Sequence, residues 1–274
     1  MRAGIIGGTG RMGGFFRSVF ERAGWDVICS GSRGPPGNRE IVEQSDLVMV
    51  SVPIRKTVGV IREIAPFLHK EQVLCDVTSL KVEPVRAMLA SRAQVIGLHP
   101  MFGPGVGSLK NQTIIATPAR CDAGVLERLL GIFRDQGACI TISTPEDHDA
   151  MMAVIQGLIH FGTLCSAETI RRLNVDVERT LAFTSPIYRI QICLIGRLLA
   201  QDPGLYGDML QLNPAVPEVL GVFLDAAESL KKIVEAGDPA SFEEFFTRNT
   251  GHYRDYLETA TEETDGLIRY MVER

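Results

Sequence analysis

The chain has 274 residues, 45% of them hydrophobic and 22% charged, with a formal net charge of −5. That composition excludes a disordered or low-complexity chain, and the acidic balance excludes broad nucleic-acid or anionic-membrane binding, which needs a basic face; a small anionic substrate held by a few local arginines stays open. Six cysteines (Cys29, Cys75, Cys121, Cys139, Cys165, Cys193) stand singly with no C-x-x-C pair, so free, mostly buried thiols in a reducing compartment, the cytoplasm, are expected rather than disulfides or a metal site.

The chain opens on an apolar strand within MRAGIIGG, leaving no space for a signal peptide, and no uninterrupted apolar run is long enough to span a bilayer. Short β-type runs follow at Gly4–Gly7, Asp26–Ser30, Leu47–Val52, Val73–Val77, Gln94–Leu98, Thr113–Thr117 and Cys139–Ile142. Between them lie segments such as Arg11–Ala23 and Lys56–Leu68, with apolar residues at helical spacing. Strand–helix alternation predicts an α/β fold with a mostly parallel, doubly wound sheet covered by helices on both faces. The continuous apolar runs near Leu47 and Val73 suit strands buried on both sides.

The pattern changes at Ser143-Thr-Pro-Glu-Asp147, where Thr144 suits a helix cap and Pro145 a first turn. Amphipathic segments then run from Asp147 to Leu173, Ser185 to Ala200, Ala215 to Ala236 and Ser241 to Arg274, broken near Pro186, Pro203 and Pro214. The division predicted is a dinucleotide-binding domain at 1–145 and an all-helical domain at 146–274.

Gly8-x-Gly10-x-x-Gly13 follows the first strand and opens a helix. Glycines at this spacing permit a tight turn, close backbone approach to a pyrophosphate and close helix–strand packing, while the helix start offers N–H groups to the phosphates. The loop Gly8, Thr9, Gly10, Arg11, Met12 and Gly13 is therefore assigned to a dinucleotide, in a Rossmann-like domain. An NAD site expects an acid after the second strand; Gly31-Ser32-Arg33 stands there instead. Ser32 and Arg33 suit a 2′-phosphate, so NADP is favoured and NAD is the alternative; the bland reading is a solvated turn with an exposed arginine.

Two further motifs end strands, where open sheets bind ligands. Asp76-Val-Thr-Ser79-Leu-Lys81 follows the fourth strand and Gly97-Leu-His99-Pro-Met-Phe-Gly103-Pro the fifth. A lone histidine is more often structural than catalytic, but its place at a strand's carboxyl end favours function.

At these residues the chain resembles the prephenate/arogenate dehydrogenase family of tyrosine biosynthesis, and the bifunctional enteric type in particular. Besides the glycine loop, the resemblance rests on Ser51-Val-Pro53, Asp76–Lys81, Gly97–Pro104 and Glu146-Asp-His148 with Met152, Gln156 and His160. Its most specific part is Ser185-Pro-Ile-Tyr-Arg189, followed by Gly196-Arg197-Leu and Gln201-Asp-Pro-x-Leu-Tyr206. The resemblance implies a Rossmann domain followed by a helical domain that forms the homodimer. It implies a reaction in which hydride leaves the carbinol carbon of a cyclohexadienol for the nicotinamide and carbon dioxide is lost as the ring aromatises. Such chemistry needs a group that accepts the hydroxyl proton, and a neutral imidazole suits it. His99 is assigned that role. Ser79, orienting His99 or binding the same hydroxyl, and Lys81, Val52 and Pro53, at the cofactor edge, are implied by the resemblance.

Arg189 matches the family's substrate arginine, and its planar fork suits a carboxylate; a solvated helix-surface arginine is the bland alternative. Tyr188 is placed beside it. His148, Met152 and Gln156 share a helical stripe, with His160 one step further round, and are read as facing substrate. Metal binding by Glu146, Asp147, His148 and Asp149 is not expected, because these side chains splay around the helix. Arg197 fits either a second anionic contact or an ion pair. The fused chorismate mutase of enteric relatives and the regulatory domain of others are not expected on this chain. Alternatives are an F420:NADP reductase, suggested by residues 7–10 and 31–33, a dehydrogenase for an amino-substituted prephenate, and an NADP sensor without turnover.

Overall fold

The computed structural model of the protein describes residues 1–32 and 34–273. Among them, β1 (Arg2–Ile6), β2 (Asp26–Ser30), β3 (Leu47–Val50), β4 (Val73–Asp76), β5 (Gln94–Pro100), β6 (Thr113–Arg120) and β7 (Cys139–Ile142) form one sheet in the order β2-β1-β3-β4-β5-β6-β7. Neighbours pair in parallel, except β5 with β6, which are antiparallel. The exception has a local cause: no helix lies between β5 and β6 to carry the chain back across the sheet, so it returns antiparallel.

Helices α1 (Arg11–Arg22), α2 (Asn38–Glu43), α3 (Ile54–Ile64), α4 (Val82–Leu89), α5 (Ala123–Arg134) and α6 (Pro145–Met152) accompany the sheet. Side chains alternate across each strand, so one face of the sheet gathers Ile5, Met49, Cys75 and Leu98 against Phe16 and Phe20 of α1 and Phe133 of α5. The opposite face packs Ile6, Val48, Val50 and Leu74 against Ile41 of α2, Ile61 and Ile64 of α3 and Met88 of α4. Burial on both faces is why these strands are continuous apolar runs. The doubly wound sheet expected from the sequence is present.

After β7 no further strand occurs among the described residues. The chain continues through a π-helical segment, Ala153–Leu158, into α7 (Ile159–Arg172), α8 (Val177–Leu181), α9 (Pro186–Leu199), α10 (Pro203–Leu212), α11 (Val216–Ala236), α12 (Pro239–Tyr253) and α13 (Leu257–Val272). Two compact units result, one of Met1–Ala153 with Gly207–Ala215, the other of Val154–Tyr206 with the residues from Val216 onward. The first unit therefore runs past the 145/146 division read from the sequence. α6 stays with the sheet because Asp149 bonds the start of α4, and the second half of α10 joins it through Arg55–Asp208 (2.5 Å), Arg55–Gln211 (2.9 Å) and Asn213 to the Asp149 carbonyl (2.7 Å).

The second unit is apolar outside as well as inside. α7, α8, α9, α12 and α13 bury no residue fully, and Phe183, Val222 and Phe246 are among the large apolar side chains left exposed. Within residues 145–172, one 18-residue stretch reaches a mean hydropathy of 1.5, enough by length and composition alone to cross a membrane. Gln156 and His160 interrupt that stretch, so it is not a continuous apolar run. The thiols also differ from expectation: all six are free, but only Cys75 is buried, with Cys139 on the last strand and Cys165 and Cys193 on helices of the second unit exposed.

Candidate active site

The loop between β1 and α1 is shaped as a cradle. Gly7 has φ +84°, and a Cβ there would lie 2.1 Å from the Ser51 carbonyl oxygen, so only glycine fits. The positive φ of this turn thus falls on Gly7, one residue ahead of the Gly8-x-Gly10-x-x-Gly13 motif. Gly13 lets α1 pack directly on the loop, since a Cβ there would stand 2.4 Å from the Gly7 carbonyl oxygen. Gly10 is the helix N-cap and supplies no side-chain cap, which leaves the first-turn N–H groups and the positive helix end to a bound phosphate. Val52 lies against Gly7, Pro53 is the N-cap of α3, and Thr9 lies beside Gly31 at the end of β2. Ser32 is exposed, and Arg33 lies outside the described residues.

Beside the cradle, β4 ends in a fully buried ion pair. Lys81 Nζ donates to Asp76 Oδ2 (2.5 Å) and to the Leu98 carbonyl (2.7 Å), and neither side chain has any exposed surface. Thr78 donates its N–H to the same Asp76 oxygen (3.0 Å), with its hydroxyl against it. Gly97 makes the space, because a Cβ there would fall 3.0 Å from Lys81 Cδ. Burial pulls the Lys81 ammonium below its ordinary value, against the Asp76 carboxylate that raises it. Lys81 thus departs from its expected place at the cofactor edge: its charge is spent inside the domain. Asp76 Oδ1 and Thr117 Oγ1 are buried without a partner among the described residues.

His99 occupies the last turnout of β5, opposite Ile115 of β6, and is 3% exposed. Its Nδ1 lies 2.8 Å from His148 Nε2, and His148 Nδ1 lies 2.7 Å from Asp149 Oδ1. Asp149 in turn accepts the backbone N–H of Lys81 on Oδ1 (2.8 Å) and of Val82 on Oδ2 (3.0 Å), so a residue of α6 caps α4. Burial first, then the neighbouring His148 and Lys81, hold the His99 imidazole well below its ordinary value. Two expectations change here. Ser79 sits in a bend, half-buried, and makes no hydrogen bond among the described residues, so His148 rather than Ser79 touches the His99 ring. His148, read from the sequence as facing substrate, is buried with its ring against His99. Asp147 is engaged by Ser143 (2.7 Å), and no cluster of three metal-type ligands occurs among the described residues.

The family model described as prephenate dehydrogenase, nucleotide-binding domain, matches residues 34–142, and the prephenate dehydrogenase dimerization domain matches 144–248. The T-protein of Haemophilus influenzae is 34% identical over 97% of this chain and 70% of its own length. A probable arogenate/prephenate dehydrogenase of Methanocaldococcus jannaschii is 33% identical over 91% of this chain, which spans only 60% of that relative. The chain belongs to the prephenate dehydrogenase family. The crystal structure of prephenate dehydrogenase from Aquifex aeolicus with hydroxyphenyl propionate and NAD+ has the same fold, with a TM-score of 0.73 at 19% identity, covering 93% of this chain and 98% of that one. Membership of this family favours its chemistry over that of an F420:NADP reductase.

The remaining candidates lie in the second unit of this dehydrogenase-family chain. Gln156 falls within the π-helical segment, whose wider turn breaks the four-residue spacing on which the stripe from His148 to His160 rested. His160 stacks edge-on against Tyr206 with ring centres 4.8 Å apart, and burial lowers its pKa. Ser185 caps α9 by accepting the Tyr188 N–H (3.2 Å), which places Arg189 in the first turn as expected. Yet Tyr188 and Arg189 line different cavities: Tyr188 one of about 580 Å³ with Arg179 and Phe183, Arg189 one of about 410 Å³ with Leu194 and Tyr270. Arg189 is exposed and, like Arg197 in the last turn of α9, forms no ion pair among the described residues.

Two variants probe this geometry. Lys81→Met removes one partner of the buried pair and strands the Asp76 charge; unfolding by urea should show a loss of about 3–5 kcal/mol. Gly10→Ala is the mildest change in the loop, since its Cβ would meet only the Gly7 carbonyl oxygen, at a tight 3.2 Å. Calorimetry should find dinucleotide affinity down about tenfold or more while the melting temperature moves only by the roughly 1 kcal/mol of an N-cap change.

Proposed function

We propose that the protein oxidatively decarboxylates prephenate or arogenate, giving 4-hydroxyphenylpyruvate or tyrosine, with NADP as the favoured acceptor and NAD as the alternative. The observation that carries this reading is His99: a buried imidazole kept neutral at the carboxyl end of β5, in a chain of this family. When bound, the dinucleotide supplies the hydride acceptor. The absent Cβ atoms at Gly8 and Gly13 let the loop pack tightly on Cys29 of β2 and on the start of α1, which supports a backbone cradle for a pyrophosphate over Gly8–Gly13. Thr9, Arg11, Met12, Val52, Pro53 and, from its buried place, Lys81 are the further residues proposed on the cofactor side, and Ser32 with Arg33 would hold the 2′-phosphate that marks NADP.

In this reading His99 accepts the ring hydroxyl proton as the carbinol carbon gives up hydride. Ser79, with no hydrogen bond among the described residues, binds the same hydroxyl. Arg189 takes a substrate carboxylate, strengthened by its position in the first turn of α9, where the helix dipole is positive. Gln156, His160 and Tyr188 complete the substrate side. The exposed apolar helices, matched by the family's dimerization domain, support a homodimer built on the second unit, and six free thiols support a reducing, cytoplasmic setting.

Because the imidazole is depressed below the ordinary value of about 6.5, its base form persists as the pH falls. The acid limb of kcat/KM should therefore lie below pH ~6.5, and His99→Asn should cut kcat by roughly two to four orders of magnitude with cofactor affinity intact. Near-normal turnover in that variant would refute the base assignment. Steady-state assays crossing prephenate and arogenate with NADP and NAD decide substrate and cofactor. In the same assays Arg33→Ala should lose most of the NADP preference, and Arg189→Ala should raise the substrate KM with dinucleotide binding unchanged. Equal use of both cofactors by the unaltered enzyme, or an unchanged KM, would overturn the respective assignment.

A further inference from the structure

Three buried side chains form a directed hydrogen-bond chain whose polarity follows from one end. Asp149 receives the N–H groups of Lys81 and Val82, which can only donate, so its carboxylate acts there as acceptor on both oxygens. His148 Nδ1, 2.7 Å from Oδ1, must then carry the hydrogen. With Nδ1 protonated, the neutral His148 ring has its lone pair on Nε2, and the contact 2.8 Å away requires His99 Nδ1 to donate. The His99 lone pair is thereby assigned to Nε2. The opposite polarity would put a hydrogen on His99 Nε2 and leave it unable to take a hydroxyl proton.

We infer that Asp149 and His148 are positioning residues of a proton relay, which fixes His99 in its base tautomer and shares the proton that His99 takes from the substrate. The inference rests on the proposed role of His99. As hydride leaves the carbinol carbon for the bound nicotinamide, the hydroxyl proton moves to His99 Nε2 and the His99 Nδ1 proton moves to His148 Nε2. The positive charge then rests on His148, against the Asp149 carboxylate. When the ring carboxylate departs as carbon dioxide, its bonding pair enters the ring, both proton transfers reverse, and the oxygen regains its proton as the phenol forms. No proton is gained or lost overall, so a temporary holder is what the chemistry requires. The charged and titratable groups around His99 within this unit are His148 and Asp149 of α6, Lys81 ahead of α4 and Asp76 at the end of β4. Lys81, paired with Asp76, repels a proton on His99 and so favours passing it outward to His148, beside the carboxylate.

The test uses the full-length enzyme with 15N-labelled histidine and two variants. At neutral pH the free protein should show both rings as Nδ1–H tautomers, and Asp149→Asn should scramble the His148 assignment. His148→Gln can still donate to Asp149 and accept from His99 but cannot take a proton. It should keep the His99 tautomer, the melting temperature, the substrate KM and the dinucleotide dissociation constant, while kcat falls about tenfold or more. An Nε2–H tautomer at His99, or a His148→Gln enzyme with unchanged kcat and pH profile, would overturn the relay. The His148→Gln result leaves His99 as base untouched, whereas an Nε2–H tautomer would count against the base and the relay together; His99→Asn tests the base separately, and normal turnover there would remove the reading on which the relay stands.

Discussion

Two backbone N–H groups at the start of α4, Lys81 at 2.8 Å and Val82 at 3.0 Å, end on a single carboxylate that belongs to another helix, Asp149 of α6. That contact satisfies donors a helix start would otherwise leave open and joins a negative charge to the positive helix end. Much of the site hangs from it. The same carboxylate orients His148, His148 holds His99, and the Asp149 carbonyl receives Asn213, which brings the segment 207–215 into the first unit. The start of α4 also sets where Lys81 stands, and with it the ion pair beneath the site.

Charge placement follows a consistent electrostatic logic. A buried ammonium is costly unless paired, and Lys81 is paired with Asp76 and a backbone carbonyl at 0% exposure. Burial first, then His148 and that cation, make the His99 imidazole resist protonation. The surroundings thus extend the pH range over which this base stays neutral to more acidic values. The dinucleotide cradle uses a different device, backbone geometry: positive φ at Gly7 and the absent Cβ at Gly13 bring α1 onto the loop.

The second unit obeys another constraint. Its helices bury few side chains completely and expose large apolar ones, an arrangement that suits association with a second copy, in keeping with the dimerization domain that its residues match. The π-helical segment at Ala153–Leu158 lies where the chain passes from the sheet-bearing unit into the helical one. An extra residue in that turn re-aims every side chain beyond it, so Gln156 and His160 cannot be placed by counting from His148.

Local pattern determined much of this protein. Two-residue alternation and apolar runs specified seven strands within a few residues of their observed ends; glycine spacing marked the cofactor loop; and Ser185-Pro186 marked the start of α9, because strand period, glycine turns and helix caps act within a few residues of chain. The histidine at the end of β5 was legible for the same reason, a chemically distinctive residue at a strand terminus. The partners were not. Asp149 lies 68 residues from the Lys81 N–H it accepts, His148 lies 49 residues from the ring it touches, and the burial of Lys81 depends on the space left by Gly97 on the next strand. Motif spacing carries no record of which side chains tertiary packing brings within 3 Å of one another, so only the fold could put His148 where Ser79 was expected and move Lys81 from the cofactor edge to the interior.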